Sequence, residues 1–116
     1  MPSGKLSIMF HPFLTKLGIT EENSGVCAGG TWLKGGGEIL DSINPTTGQK
    51  IASIRQASAE EYEEVMRAAQ KTFKAWRNVP APKRGEIVRE LRNEFAQYKK
   101  ELGALVSLEV GKIITE

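Results

Sequence analysis

Few side chains in this sequence have the chemistry of a nucleophile or a base. Cys27 is its one thiol and His11 its one imidazole. A thiolate nucleophile needs a base or a positive charge within hydrogen-bond reach. Both residues fall in the irregular first quarter of the chain, and no spacing brings them together. They read as an incidental thiol and a surface histidine. Gly29-Gly30 and Gly35-Gly36-Gly37 raise the question of a phosphate cradle. Such a cradle lies between a strand and a helix, with its amides turned to the phosphate. These glycines separate predicted strands, and neither G-x-G-x-x-G nor a phosphate-loop lysine motif is present. They read as turns. Lys83-Arg84, after Pro82, is a basic spot suited to an anion and equally to the solvated start of a helix. No aromatics interleave with it, as single-stranded nucleic acid would require. Glu109-Val110-Gly111-Lys112 follows an apolar stripe. A glutamate there has the chemistry of a general base, or of a ligand to a hard cation together with backbone carbonyls. It has no second carboxylate or histidine nearby in sequence, and helix termination is the favoured reading. The residues taken singly show no active site.

The elements that would position these residues divide the chain by texture. Residues 1–24 read as an amino-terminal arm with one short helix, 25–56 as a glycine-rich β-ribbon, and 57–116 as helical. In the arm, Phe10, Phe13, Leu14 and Leu17 recur at helical spacing, with Pro12 suited to the first turn and Gly18 to the position past the end. This amphipathic turn is expected to dock on something larger. Asn44-Pro45-Thr46-Thr47-Gly48 predicts a hairpin loop with a bulge at Gly48, between arms Glu38 to Ile43 and Gln49 to Arg55. A third short strand is expected near Val26 to Trp32.

The helical part is better determined. Ser58 and Glu61 form an S-x-x-E capping box. Tyr62, Val65, Met66, Ala69, Phe73 and Trp76 then share one face. Pro80-Ala81-Pro82 stops this helix and starts the next, which carries Ile87, Val88, Leu91, Phe95 and Tyr98. A third set is Leu102, Leu105, Val106, Val110 and Ile113, with a break expected between Lys99 and Gly103 and a stop at Gly111. The segment therefore reads as a short β-ribbon followed by three amphipathic helices. Three apolar stripes need a shared partner surface, and a small ribbon is a poor one. The helices either pack on one another or belong to the edge of a larger body.

Composition narrows the classes. The chain has 116 residues, 16 Lys plus Arg against 14 Asp plus Glu, and 40% hydrophobic residues, an ordinary globular balance. One cysteine excludes an internal disulfide framework. A formal net charge of +2 does not suggest a nucleic-acid binder. No apolar run approaches the ~20 residues of a membrane span. Ile8-Met9-Phe10 is too short for a secretory signal, and Met1 to Lys16 lacks the arginines of a mitochondrial presequence. A cytoplasmic location is the expectation, with a mitochondrial one left open.

Taken together, the motifs resemble the aldehyde dehydrogenase family. Asn44-Pro45-Thr46-Thr47-Gly48 with Ile51-Ala52 is similar to the family's early "NP-x-T-G" hairpin. The capped helix with Ala68-Ala69, Phe73 and Trp76 is similar to the next segment, and Arg84, Ile87 and Leu91 to the helix after it. Leu105 to Lys112 resembles the family's "E-x-G-K" helix end. The order and spacing over residues 38–112 are more specific than any one motif. Leu17-Gly18, Glu21-Glu22-Asn23, Arg55-Gln56-Ala57-Ser58, Ala81 to Arg89 and Val106-Ser107-Leu108-Glu109 resemble the antiquitin branch of that family.

The resemblance implies an α/β fold with a Rossmann-like cofactor domain, to which this segment contributes a ribbon and outer helices. It implies NAD as cofactor of the intact enzyme, and aldehyde oxidation to a carboxylate through a cysteine thioester. The family's catalytic and NAD-holding residues lie downstream of the matched segment. Cys27 does not match the nucleophile's motif, nor Glu109 the general base's. No catalytic or cofactor-binding residue is therefore expected in this chain. Its expected partners are the remainder of the enzyme chain and, in the intact family, a homo-oligomer; neither nucleic acid nor membrane is expected. By motif position, Ser42, Ile43 and Glu109 correspond to a structural monovalent-cation site of many members. The alternative reading of the whole chain is a free-standing helical protein-interaction module, which requires the three apolar stripes to close on each other.

Overall fold

A computed structural model describes residues 11–116. The expectations placed on Phe10 and on Met1 to Met9 lie outside the described residues. The order of elements is α1 (Pro12–Lys16), β1 (Glu22–Ser24), β2 (Cys27–Ala28), β3 (Thr31–Trp32), β4 (Ile39–Ile43), β5 (Lys50–Arg55), α2 (Ala59–Trp76), α3 (Ala81–Gln97) and α4 (Lys99–Val110). Four helices and a small sheet fit the α/β class, and the three long helices follow the strands as expected.

Five of the nine elements build one closed unit. β5 is the centre of a three-stranded sheet, antiparallel to β4 and parallel to β1. Paired along both edges, β5 is the most enclosed strand, and Ile51, Ala52 and Ser53 are all buried. The Asn44–Gly48 loop forms as its residues dictate, with Gly48 at φ 71°. The ladder's irregularity is not at Gly48, however. Ile43 pairs with Lys50 while Ser42 pairs with Ala52, so Ile51 is the extra residue. The bulge turns two consecutive side chains, Ile51 and Ala52, toward one core, which strict alternation forbids. Leu14 of α1, fully buried, completes that core, with Phe13, Ile19, Leu105 and Leu108 packed around it. Lys16 of α1 is ion-paired with Glu101 of α4 across the same seam.

The structure corrects the expected arm at its end: Glu22–Ser24 is a strand on β5, not part of a loose arm. The polar run Glu22-Asn23-Ser24 carries no alternating pattern, and its partner lies about thirty residues on. The expected single strand near Val26 to Trp32 is instead a two-stranded hairpin, Cys27 opposite Trp32 and Ala28 opposite Thr31. The helix break falls at Tyr98 (φ −104°, ψ 17°), and Gly103 lies inside α4. Leu102 N–H donates to Tyr98 C=O at 2.8 Å, so the ladder resumes at once and one interior glycine is tolerated. The third apolar set is also divided. Leu105 and Leu108 face the core, Val106 and Val110 face out, and Ile113 lies past the helix end.

The other two long helices are a different case. Neither α2 nor α3 contains a buried residue. Tyr62, Met66, Phe73, Val88, Leu91 and Phe95 are all exposed. The closely packed pairs of elements are β4 with β5, β1 with β5, α1 with α4, α2 with β2 and β2 with β3; among the described residues, no two long helices pack this closely. The radius of gyration is 17.1 Å, where a closed domain of this length would have about 13 Å. The accessible surface is 8996 Å², against roughly 6,300 Å² for a compact monomer of this mass. The apolar stripes do not close on each other.

Candidate functional site

Of the candidate site residues from the sequence, Ser42 and Glu109 are brought together. Gly111 ends α4 in the left-handed region at φ 78°, its N–H donating to Ser107 C=O at 3.0 Å. That turn sets the end of α4 against the Asn44–Gly48 loop, where a Cβ on Gly111 would stand 3.4 Å from Pro45 Cγ. The last turn of α4 then reaches β4. Ser42 Oγ donates to Glu109 Oε1 at 2.8 Å. Ile43, beside Ser42, pairs with Lys50 at the mouth of the loop. A carboxylate in the last turn of a helix stands at the negative end of its dipole, among carbonyls left without helical donors. No basic residue lies in that turn. Carboxylate, hydroxyl and backbone carbonyl are the oxygen donors that a hard cation takes, but three fall short of the ~6 it usually collects.

Ser42 and Glu109 also line a groove of about 630 Å³ between α1, the sheet and α4, with Leu14, Trp32, Ile54 and Leu105. Its second carboxylate, Glu22, is ion-paired with Arg55. No nucleophile and base converge there. Cys27 lines a separate groove of about 510 Å³ between the β2–β3 hairpin and α2, beside Val65, Ala69 and Trp76. Its thiol is exposed. His11 stands at the start of α1 with its ring centroid 5.6 Å from that of Phe13. The thiol and imidazole therefore belong to different parts of the fold. Lys83, in the first turn of α3, is paired with Glu86 at 3.3 Å on an exposed surface. Among the described residues no group of three or more His, Cys, Asp or Glu gathers.

The glycine run does present its amides to an anion, but the anion is the chain's own. Glu61 completes the capping box, with Ser58 N–H donating to Oε2 at 2.9 Å and Glu61 N–H donating to Ser58 Oγ at 3.2 Å. The same carboxylate accepts from Gly35 N–H at 2.9 Å and Gly36 N–H at 2.8 Å. The amides of Gly36, Ser58 and Gly35 hold its carboxyl below the usual carboxylate range. The capping pattern exposed this side chain in the sequence; its second set of donors, some 25 residues upstream, was not signalled there. Glu101 is also held low, chiefly by the hydrogen bond from Lys16.

The sequence comparisons set these features in a family. The model of the "Aldehyde dehydrogenase family" matches residues 32–116, well over half of the chain. A protein of apple (Malus domestica) named aldehyde dehydrogenase family 7 member A1 is 42% identical over 106 residues, 91% of this chain and 21% of the relative. The pea (Pisum sativum) protein of the same name is 45% identical over 104 residues, 90% of this chain and 20% of the relative. Mouse (Mus musculus) α-aminoadipic semialdehyde dehydrogenase is 44% identical over 112 residues, 94% and 20%. The chain thus spans about a fifth of the length of these relatives. Matches to proteins of these two names agree with the antiquitin-like motifs. The chain belongs to the aldehyde dehydrogenase family.

Proposed function

We propose that these 116 residues are the amino-terminal segment of an antiquitin-like, NAD-dependent aldehyde dehydrogenase, α-aminoadipic semialdehyde being the substrate the relatives' names favour. The segment serves as an outer layer of the cofactor-binding domain and does no chemistry alone. The observation that carries this reading is the pair of uncovered helices, α2 and α3, with Phe73 at 57%, Leu91 at 54% and Phe95 at 63% exposure. Apolar area of that kind in a family member is surface shaped for a neighbour. In the intact enzyme NAD supplies the hydride acceptor. This chain's residues supply position: the α1–sheet–α4 unit anchors the segment, and α2 and α3 offer their stripes to the body behind them.

The experiment is complementation. The chain is produced with the mouse relative lacking its matched first fifth, and aldehyde-dependent formation of reduced NAD is followed. Neither piece is expected to turn over alone, and the mixture is expected to do so. Turnover by the 116-residue chain alone would overturn the reading.

A monovalent cation held by Ser42, the Ile43 carbonyl and Glu109 belongs to the same proposal. The donor chemistry supports it, and the remaining ligands would come from water or the rest of the enzyme. Potassium or sodium should stabilise the complemented enzyme relative to tetramethylammonium, and Glu109→Gln should remove the difference. An equal difference in the variant would contradict that placement.

A further inference from the structure

The capping box uses only one of the three bonds that the Glu61 carboxylate accepts. The other two go to Gly35 and Gly36, in the crossover that joins β3 to β4 and lies outside any helix. That crossover is also tied to the far end of β5. Gly37 N–H donates to Gln56 C=O at 2.9 Å, and Gln56 N–H to Glu38 C=O at 3.0 Å. The fit leaves no room for side chains: a Cβ on Gly35 would stand 2.6 Å from Arg55 Cβ, and one on Gly37 2.5 Å from the Ala57 carbonyl oxygen. Gly35 is buried. Helix α2, by contrast, buries no residue of its own, and its closest packing along its flank is on the short strand β2. A long helix without a core of its own takes its direction from its base.

We propose that Glu61 is the joint that sets the direction of α2 relative to the sheet. One carboxylate oxygen holds Gly35; the other holds Gly36 and the Ser58 amide. Crossover, strand end and first helical turn become one rigid corner. The corner stands on its own geometry. Only its use, aiming Tyr62, Met66 and Phe73 at the rest of an enzyme, rests on the function proposed above.

The test uses the full 116-residue chain and no enzyme assay, so its failure is distinct from a failure of the functional reading. Amide hydrogen exchange is compared for wild type, Glu61→Gln and Ser58→Ala. An amide side chain keeps the size but turns an N–H₂ toward donors. Glu61→Gln is expected to lower protection of the Gly35 and Gly36 amides ~10-fold or more, the scale of a lost charge-assisted hydrogen bond. Ser58→Ala is expected to spare those two amides. Spin labels at Thr47→Cys and Thr72→Cys, in a Cys27→Ser background, should report a broader sheet-to-helix distance distribution in the Glu61 variant. If Glu61→Gln does not fold, Glu61→Asp reads the same way: it keeps the charge, falls one methylene short, and should lose the same protection. Unchanged protection of Gly35 and Gly36 with an unchanged distance distribution, in whichever variant folds, would overturn the proposal.

Discussion

The two halves of this molecule solve burial in opposite ways. In the first, α1, the sheet and α4 close around Leu14, Ile51 and Ala52, and the Lys16–Glu101 pair bridges the outside of the seam. In the second, α2 and α3 are well-formed helices with no buried residue at all. Both halves have helix-forming sequences with apolar stripes. The difference teaches that a stripe specifies an element and not its partner. Helix α4 finds the sheet within the same chain; α2 and α3 point outward, and tertiary packing is the usual main source of helical stability.

Mutations should break the comparison in opposite senses. Phe95→Ala is expected to change the stability of the isolated chain by no more than ~0.5 kcal/mol, as at an exposed site. In the complemented enzyme the same change should cost ~3–5 kcal/mol, as in a core. Denaturant unfolding of both samples measures the contrast; equal effects in the two would erase it. Leu14→Ala should behave alike in both, costing ~2–5 kcal/mol, because its cavity forms inside a core already complete. Ser58→Ala removes an N-cap and should cost ~1 kcal/mol, read from the same unfolding curves.

Acid provides a gentler probe of both halves at once. Glu61 on α2 and Glu101 on α4 both have carboxyls held below their ordinary value of 4.5. A carboxyl with a lowered folded-state value stabilises the fold fully above its ordinary value, and that contribution is lost as pH falls through the lowered one. Stability should therefore decline below pH 4.5, and Glu61→Gln and Glu101→Gln should each flatten part of the decline. An acid limb identical in wild type and both variants would contradict the assignment.

Legibility in the sequence followed the range of the physics. Local signals were enough where a few adjacent residues decide: the Ser58–Glu61 box, the Asn44–Gly48 loop, Pro80 and Gly111. The parallel pairing of Glu22–Ser24 with β5 was not legible, because three polar residues carry no period and their partner is remote. The loop residues point to a bulge at Gly48, whereas it lies at Ile51, since the loop fixes the turn and the register is settled by what the core accepts. Of the candidate site, Ser42 and Glu109 came together only through the family likeness; 67 residues separate them and neither neighbourhood names the other. In sequence the glycine run reads as turns, yet its amides hold Glu61, because an anion-binding loop does not reveal in sequence whether its anion comes from outside.

On the proposed function, α2 and α3 carry faces made for a body outside these residues. Hydroxyl-radical footprinting tests it directly, on the chain alone and on the chain with the complementing part of the mouse relative. Tyr62, Met66, Phe73, Leu91 and Phe95 should be modified readily in the chain alone and become protected in the complex, while Leu14 stays protected in both. Protection of all five side chains in the isolated monomer, or full modification of them in a complex that turns over aldehyde, would contradict it.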